Sequence, residues 1–286
     1  MFFTESLEDS TTMCYYSKVN PDGVVQVDIA KFIESIVARG RYHFTTEEAA
    51  RTAGVSHIAA CAALRRLRNK GSIAAPHQGF NLHVPPEYRR LGCLPPEQFV
   101  PQLMEHLGLD YYVGLLSAAE IKGAAHQRPQ TFQVMVAVNR PPIRCGEVRV
   151  QFVARRNIRE MPTIKKNTPR GYMTVANVET TAFDLIGYSH HSGGFNNVAT
   201  VLSELSETMK GDELVRIAPH SPVPWRQRLG YILDIVGAGA VADPLAEHVA
   251  KIAKEYVPLN TRRKQKQGER SRRWKLIIND DVESDL

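Results

Sequence analysis

The fold is most constrained by residues 45–71, which predict two short helices joined by a sharp turn. Thr45 and Glu48 form the Thr-x-x-Glu pattern of a capping box, which starts a helix. Gly54 follows about two and a half turns later and supplies the left-handed conformation that turns the chain. Ser56 then caps a second helix, which Gly71 ends. The pattern predicts a helix-turn-helix.

The segments on either side extend this prediction to a winged helix-turn-helix domain. Residues 28–39 carry apolar side chains at helical spacing, which indicates a preceding helix. Residues 72–84 follow the pair and fit a β-hairpin centred on residues 77–79. Helix, helix, turn, helix and hairpin is the winged helix-turn-helix order, which we assign to residues 28–90.

The second helix of the pair has two chemically different faces. Apolar side chains at i, i+3, i+4 and i+7 form a narrow stripe, and the other face carries polar and basic residues. The apolar residues are Ala60, Ala63, Leu64 and Leu67. A recognition helix contacts base edges with its first residues and phosphates with cations further along. The face therefore predicts DNA binding, although a solvated surface or a protein-contact module has the same composition.

The candidate DNA-binding residues lie in the helix pair and in the hairpin that follows it. They are Thr45, Ser56, His57, Cys61, Arg65, Arg66, Arg68, His77 and Gln78, with Asn81 as a further hairpin candidate. His57 is placed to read a base, and the arginines to hold phosphates.

The charge distribution agrees with a polyanionic partner. The chain of 286 residues has a formal net charge of +6. Residues 28–90 hold ten Lys and Arg against five Asp and Glu, so this part carries most of the excess. A second basic segment covers residues 262–275, with eight Lys and Arg and one Glu. Such a segment is usually a solvated loop, and it also suits contacts to a nucleic-acid backbone. Its candidates are Arg262, Arg263, Lys264, Lys266, Arg270, Arg272 and Arg273.

The remaining two thirds predict an α+β domain with a small antiparallel sheet. Five prolines between positions 85 and 101 indicate a linker, placed at residues 91–96. Residues 131–138 and 147–155 read as strands joined in a hairpin, and residues 178–256 are mostly helical. The predicted organisation is an unassigned extension at 1–27, the winged helix at 28–90, the linker, and the larger domain at 97–286.

The sequence carries no metal, cofactor or catalytic motif. Its four cysteines are scattered, which excludes a zinc ribbon. Glu179, Asp184, His190 and His191 are the best catalytic candidates, but they follow no known pattern. We therefore expect no enzyme, no cofactor and no metal. Two alternatives stay open: a nuclease or nucleotide-processing enzyme tethered to DNA, and a regulator with an effector pocket in residues 97–260. With no leader and no membrane span, a cytoplasmic location is expected.

Three stretches of the larger domain resemble the AbiEi family. They are YYVGLLSAAEIKGAAHQRPQTFQVMVAV (111–138), TPRGYMTVANVETTAFDLI (168–186) and QRLGYILDIVGAGAVADPLAEHVAK (227–251). With the winged helix and the Pro-rich stretch before them, the resemblance runs from about residue 28 to about residue 279. AbiEi proteins are the antitoxins of the AbiE type IV toxin–antitoxin systems, which act in abortive infection, a form of phage defence.

The resemblance implies a specific function. The winged helix would bind inverted repeats in its own promoter and repress the operon. Residues 97–286 would counteract the partner toxin AbiEii, a nucleotidyltransferase-like protein, without forming a stable complex with it. The family's DNA contacts transfer to the matching helix and hairpin, hence to Ser56, His57, Arg65, Arg66 and Gln78.

Overall fold

The chain divides into two units, an amino-terminal unit of residues 1–83 and a carboxy-terminal unit of residues 84–286. The computed structural model describes residues 28–124, 129–263 and 268–283, and the backbone of two short strands at 18–19 and 25–26. The extension expected at 1–27 lies outside the described residues except for these strands. Lys264 and Lys266 also lie outside them. No helix in the described ranges has the length and apolar character that crossing a membrane requires.

The described residues of the amino-terminal unit form three helices and two small antiparallel sheets. Its elements are β1 (Lys18–Val19), β2 (Val25–Gln26), α1 (Ile29–Ala38), β3 (His43–Thr45), α2 (Thr46–Ala53), α3 (His57–Asn69), β4 (Ile73–His77) and β5 (Phe80–His83). Strand β1 pairs with β2, and β3, β5 and β4 form a sheet in that order.

The predicted helix boundaries of this unit are confirmed by their caps. The Thr45 hydroxyl accepts a hydrogen bond from Glu48 N at 3.0 Å, and the Ser56 hydroxyl accepts one from Ala59 N at 3.2 Å. Gly54 has φ +65° and ends α2, as the turn requires. The Glu48 carboxylate pairs with Arg41 rather than with the start of its own helix. The local signals therefore fix α2 and α3, while the carboxylate serves a tertiary contact.

A single apolar core holds the three helices against the sheet. It includes Phe32 and Phe44, whose rings meet edge to face with centroids 5.7 Å apart. Asn81 lies in the same interior, 2% exposed, and donates to the Thr46 hydroxyl at 3.1 Å. The expectation that Asn81 contacts DNA is therefore wrong. Alternate residues of a strand point to opposite faces, so Asn81 points away from Phe80 and Leu82 of β5. On its own face Asn81 meets Thr46 of α2.

The carboxy-terminal unit contains seven α-helices and two sheets among its described residues. Its elements are α4 (Val100–His106), β6 (Tyr111–Val113), α5 (Leu115–Ile121), β7 (Phe132–Val136), β8 (Ile143–Cys145), β9 (Val148–Ala154), β10 (Thr163–Thr168), β11 (Gly171–Ala176), α6 (Val178–Gly187), α7 (Phe195–Ser206), α8 (Gly211–Ile217), α9 (Val223–Ile235), α10 (Gly239–Ile252), β12 (Val257–Pro258), β13 (Glu269–Ser271) and β14 (Leu276–Ile278). The α+β class predicted from the sequence is confirmed.

The main sheet differs from the small antiparallel sheet expected. It has six strands in the order β10-β11-β6-β7-β9-β8, and the pairs β11–β6 and β7–β9 are parallel. The hairpin predicted between residues 131–138 and 147–155 is wrong, because residues 143–145 form the intervening strand β8. Strand β8 turns back onto β9 through Gly146, which has φ +58°. The hairpin therefore forms between β8 and β9, and β9 pairs with β7 in parallel.

Residues 91–96 are packed rather than extended as a linker. Cys93 and Leu94 have no exposed surface, and the division between the units falls at residues 83 and 84. Short 3-10 turns at Pro86–Tyr88 and Pro96–Gln98 use the prolines at their first positions. The prolines therefore fix turns inside the carboxy-terminal unit, where the sequence alone suggested a spacer.

Candidate nucleic-acid interface

Helix α3 presents one face to the core and one to solvent. Ala60 and Leu64 are buried, and Ala63 and Leu67 are partly buried against the same cluster. This confirms the predicted apolar stripe. The side opposite is exposed along the helix, at Ile58, Ala62, Arg65 and Asn69. These four positions are spaced i, i+4, i+7 and i+11, which places them on one line of an α-helix.

The arginines of α3 are exposed and have no ion-pair partner among the described residues. Among the residues that the structure describes, Arg65, Arg66 and Arg68 have no carboxylate within 4.0 Å. Residues 56–70 hold no acidic side chain at all. The last turn of α3 is basic, which also suits the negative end of the helix dipole. Three guanidinium groups are therefore available to an anionic partner without losing an internal ion pair.

His57 lies on the flank of α3 that faces α2. Its Nε2 is 3.8 Å from the Glu47 carboxylate, and its Nδ1 is 3.7 Å from the Cys61 sulfur. His57 and Cys61 are both exposed. Ser56 is exposed too, but its hydroxyl is used by the cap. His57 is therefore accessible to solvent at the start of α3, and the Glu47 carboxylate lies next to its ring.

The hairpin β4–β5 carries the remaining candidates. Gln78 is exposed at its tip, next to Gly79 with φ +76°. His77 is half-buried, and its Nδ1 lies 2.9 Å from the Gln78 carbonyl oxygen. The Thr45 hydroxyl is engaged in the α2 cap. Gln78 is thus the hairpin side chain most open to a partner.

Sequence reasoning missed Ile58. It is 82% exposed at the start of α3 and heads the outward line that includes Arg65. The signal was present, because position 58 is seven residues before Arg65 and six before the buried Leu64. A count of helical spacing from the apolar stripe would have placed it outward.

The catalytic candidates of the carboxy-terminal unit have structural partners. Asp184 is fully buried, pairs with Arg155 and accepts a hydrogen bond from the Tyr112 hydroxyl at 2.8 Å. Burial raises the pKa of Asp184, and the charge of Arg155 and the Tyr112 bond oppose that rise. Glu179 accepts from Lys210 N at 3.0 Å. Both carboxylates therefore hold chain segments together.

The adjacent histidines serve a separate contact. The rings of His190 and His191 are 4.0 Å apart, and His191 Nδ1 lies 3.1 Å from Gln151 Nε2. Burial, together with the nearby Arg262, lowers the pKa of both rings. No three metal-ligating side chains of the described residues converge on one point. The geometry thus lends no support to the nuclease alternative.

The effector alternative predicts a deep, mostly apolar pocket, and the cleft beside the Arg155 pair is lined by both polar and apolar side chains. This cleft has a volume of about 370 Å³. Arg156, Asn157, Tyr188, His220 and Trp225 are among its lining residues. The guanidinium group of Arg155 donates hydrogen bonds to Asp184, Asn157, His220 O and Ser221. These internal contacts already occupy the donors that a ligand in the cleft would use.

The basic segment at residues 262–275 leads into the strand β14, and several of its cations are paired. Arg263 pairs with Asp280, and Arg273 lies 2.6 Å from Asp243 and 3.2 Å from Asp234. The Arg270 guanidinium lies over the Tyr256 ring at 5.2 Å. Arg262 and Arg272 remain exposed. The segment is thus less available to phosphates than its composition suggests.

Comparison with known proteins gives a family match in the larger unit. Residues 112–235 match the family model of the AbiEi antitoxin C-terminal domain. This part of the chain is similar to AbiEi antitoxins. The family resemblance predicted from the sequence is confirmed there, and an antitoxin role in a toxin–antitoxin system is supported.

The fold of the chain also matches a solved structure. The crystal structure of the RV2827C protein from Mycobacterium tuberculosis superposes with a TM-score of 0.63 at 16% identity. The match covers 86% of this chain and 89% of that one, which shows a shared fold. No curated protein matches the chain.

Proposed function

We propose that this protein is the DNA-binding antitoxin of a type IV toxin–antitoxin system and represses its own operon. The amino-terminal unit binds inverted repeats in the promoter as a winged helix-turn-helix domain. The carboxy-terminal unit counteracts a nucleotidyltransferase-like toxin without a stable complex. Neither unit is assigned a catalytic step, and the protein acts in the cytoplasm.

The observation that carries the DNA-binding part is the exposed, unpaired arginine face of α3. The helix follows α2 through a left-handed glycine and precedes a hairpin, the element order of winged helix-turn-helix domains. In that arrangement the second helix enters the major groove, with its first residues at base edges and its cations near phosphates. Arg65, Arg66 and Arg68 are the cations that this arrangement requires near phosphates.

The antitoxin part rests on the family match to residues 112–235. The family resemblance supplies the promoter as the DNA partner and the nucleotidyltransferase-like protein as the toxin. The buried contacts of Asp184 and Glu179 favour a binding or regulatory role for this unit over catalysis, because each carboxylate already has a structural partner.

A salt-series titration tests DNA binding. Fluorescence anisotropy compares a duplex from immediately upstream of the gene with a scrambled duplex. At physiological salt the upstream duplex is expected to bind at least about 10³-fold more tightly. Equal, weak binding of both duplexes would overturn the proposed autorepression. For the arginine variants of α3, Arg159→Ala, which removes an exposed arginine of the other unit together with its Asp110 ion pair, controls for the loss of one positive charge.

Co-expression with the toxin tests the second part. The variant Arg65→Ala/Arg66→Ala/Arg68→Ala, supplied from an inducible promoter, is expected to neutralise toxicity as well as the unaltered protein. Loss of neutralisation in this variant would show that the antitoxin activity requires DNA binding, against the proposed division of labour.

A further inference from the structure

Ile58 is an exposed apolar side chain on a helix face otherwise suited to an anion. Its 82% exposure is the highest among the exposed large hydrophobic side chains of the described residues. A surface isoleucine by itself needs no explanation. The position of Ile58 does call for an explanation, because it is the first residue of the solvent-facing line of α3 that includes Arg65.

The neighbours of Ile58 leave its side chain accessible. Ala59 and Ala62 are exposed and small, so neither of them covers the Ile58 side chain. His57 is displaced toward Glu47, at 3.8 Å. The first residues of a recognition helix are those that contact base edges. Ile58 is one of these first residues and lies on the outward line of α3.

The chemistry of an aliphatic side chain restricts what it can read. Isoleucine has no hydrogen-bond donor or acceptor, and the C5-methyl group of thymine is the apolar group displayed in the major groove. We propose that Ile58 reads a thymine methyl in each operator half-site. This inference rests on the proposed DNA-binding function and deepens it by naming one base and the residue that selects it.

A double-mutant cycle between protein and DNA tests the contact. The full-length protein and Ile58→Ala are titrated against the upstream duplex, in which each thymine is replaced in turn by deoxyuridine. Deoxyuridine keeps the base pair and removes the methyl group alone. At one position in a half-site we expect deoxyuridine to weaken binding of the unaltered protein about fourfold, the value of one buried methyl group. The same replacement is expected to have no effect on Ile58→Ala.

The controls separate a lost contact from a damaged helix. Alanine is a better helix former than isoleucine, so Ile58→Ala is expected to leave α3 folded, which circular dichroism checks. Ile164→Ala removes a 46% exposed isoleucine from the other unit and is expected to leave DNA affinity unchanged.

The outcomes distinguish this inference from the proposed function. If the unaltered protein prefers the upstream duplex and no thymine position couples to Ile58, the methyl contact is overturned and DNA binding stands. If the protein does not prefer the upstream duplex, both are overturned. A change in sedimentation of Ile58→Ala without a change in thymine preference would assign Ile58 to a contact between copies of the chain, which also overturns the inference.

Discussion

Two groups of arginines, one from each unit, behave in opposite ways. Arg65, Arg66 and Arg68 on α3 are exposed and pair with no carboxylate of the described residues, whereas Arg155, Arg226 and Arg228 of the carboxy-terminal unit are buried. Arg226 donates twice to Ser221 O, at 3.0 and 2.8 Å, and Arg228 twice to Pro258 O, at 3.2 and 3.0 Å. The same residue type connects chain segments in the buried group and is an exposed cation in the α3 group.

The comparison shows why basic composition alone is a poor guide to nucleic-acid binding. A buried guanidinium has already exchanged water for carbonyl or carboxylate partners, so it has little to offer a phosphate. An exposed one keeps its hydration and releases counterions when it binds. Substitutions in the first group should therefore alter stability, and substitutions in the second should alter DNA affinity.

The largest expected effect is on the buried pair. Asp184→Ala leaves the Arg155 guanidinium buried without its carboxylate, and we expect the carboxy-terminal unit to lose about 3–5 kcal/mol of stability. Urea unfolding followed by tryptophan fluorescence measures this unit alone, because both tryptophans, Trp225 and Trp274, lie in it. The apolar pair Arg155→Met/Asp184→Leu is expected to recover most of the loss. A loss of less than about 1 kcal/mol in Asp184→Ala would contradict the description of the pair as a connector.

The next effect concerns the free cations. Arg66→Ala is expected to weaken binding to all DNA sequences and to reduce the slope of log affinity against log salt by about one unit. The stability of either unit should not change measurably. An unchanged slope would show that Arg66 does not contact a phosphate. Its exposure would then not distinguish it in function from the buried arginines.

A smaller effect is expected at the start of α3. Ser56→Ala removes the hydroxyl that accepts from Ala59 N, which typically costs about 1 kcal/mol. The loss belongs to the amino-terminal unit, so the tryptophan signal should stay the same while the thermal transition of this unit shifts down. Ser56→Asp, which keeps a capping oxygen, is expected to retain the stability. An unchanged thermal transition of the amino-terminal unit in Ser56→Ala would contradict a stabilising role of this cap.

The smallest effect is a pH dependence at His191. Burial lowers the pKa of His191 in the folded chain, so the unfolded chain binds more protons below the usual value of 6.5. Stability of the carboxy-terminal unit should therefore fall as the pH drops from 7.5 to 5.5. His191→Gln is expected to flatten that decline, which urea midpoints at the two pH values measure. An identical decline in both proteins would assign it to other groups.

Predictions from the sequence succeeded where the signal was local. Thr45, Gly54 and Ser56 identify the ends of α2 and α3, because caps and left-handed glycines act within four residues. The residues 262–275 show the limit of composition. Their eight cations were counted correctly, yet Arg263 and Arg273 are paired with aspartates far from them in sequence.

The candidate DNA-contact site was predicted in outline and altered in detail. The arginines of α3 are where helical spacing puts them. Asn81 is buried, His57 is shared with Glu47, and Ile58 emerges as the outermost residue of the helix start. These differences arise from the packing of α3 on α2 and of β5 on α2, which no pattern within α3 specifies.

The sequence by itself determined the helix ends, the basic face of α3 and the α+β character of the larger unit, because periodicity and capping depend on near neighbours. The tertiary structure alone decided the parallel pairing of β7 with β9, the packing of residues 91–96 and the burial of Arg155 against Asp184. Strand partners and buried ion pairs join residues distant in the chain. Which of them meet depends on how all the apolar faces are buried together.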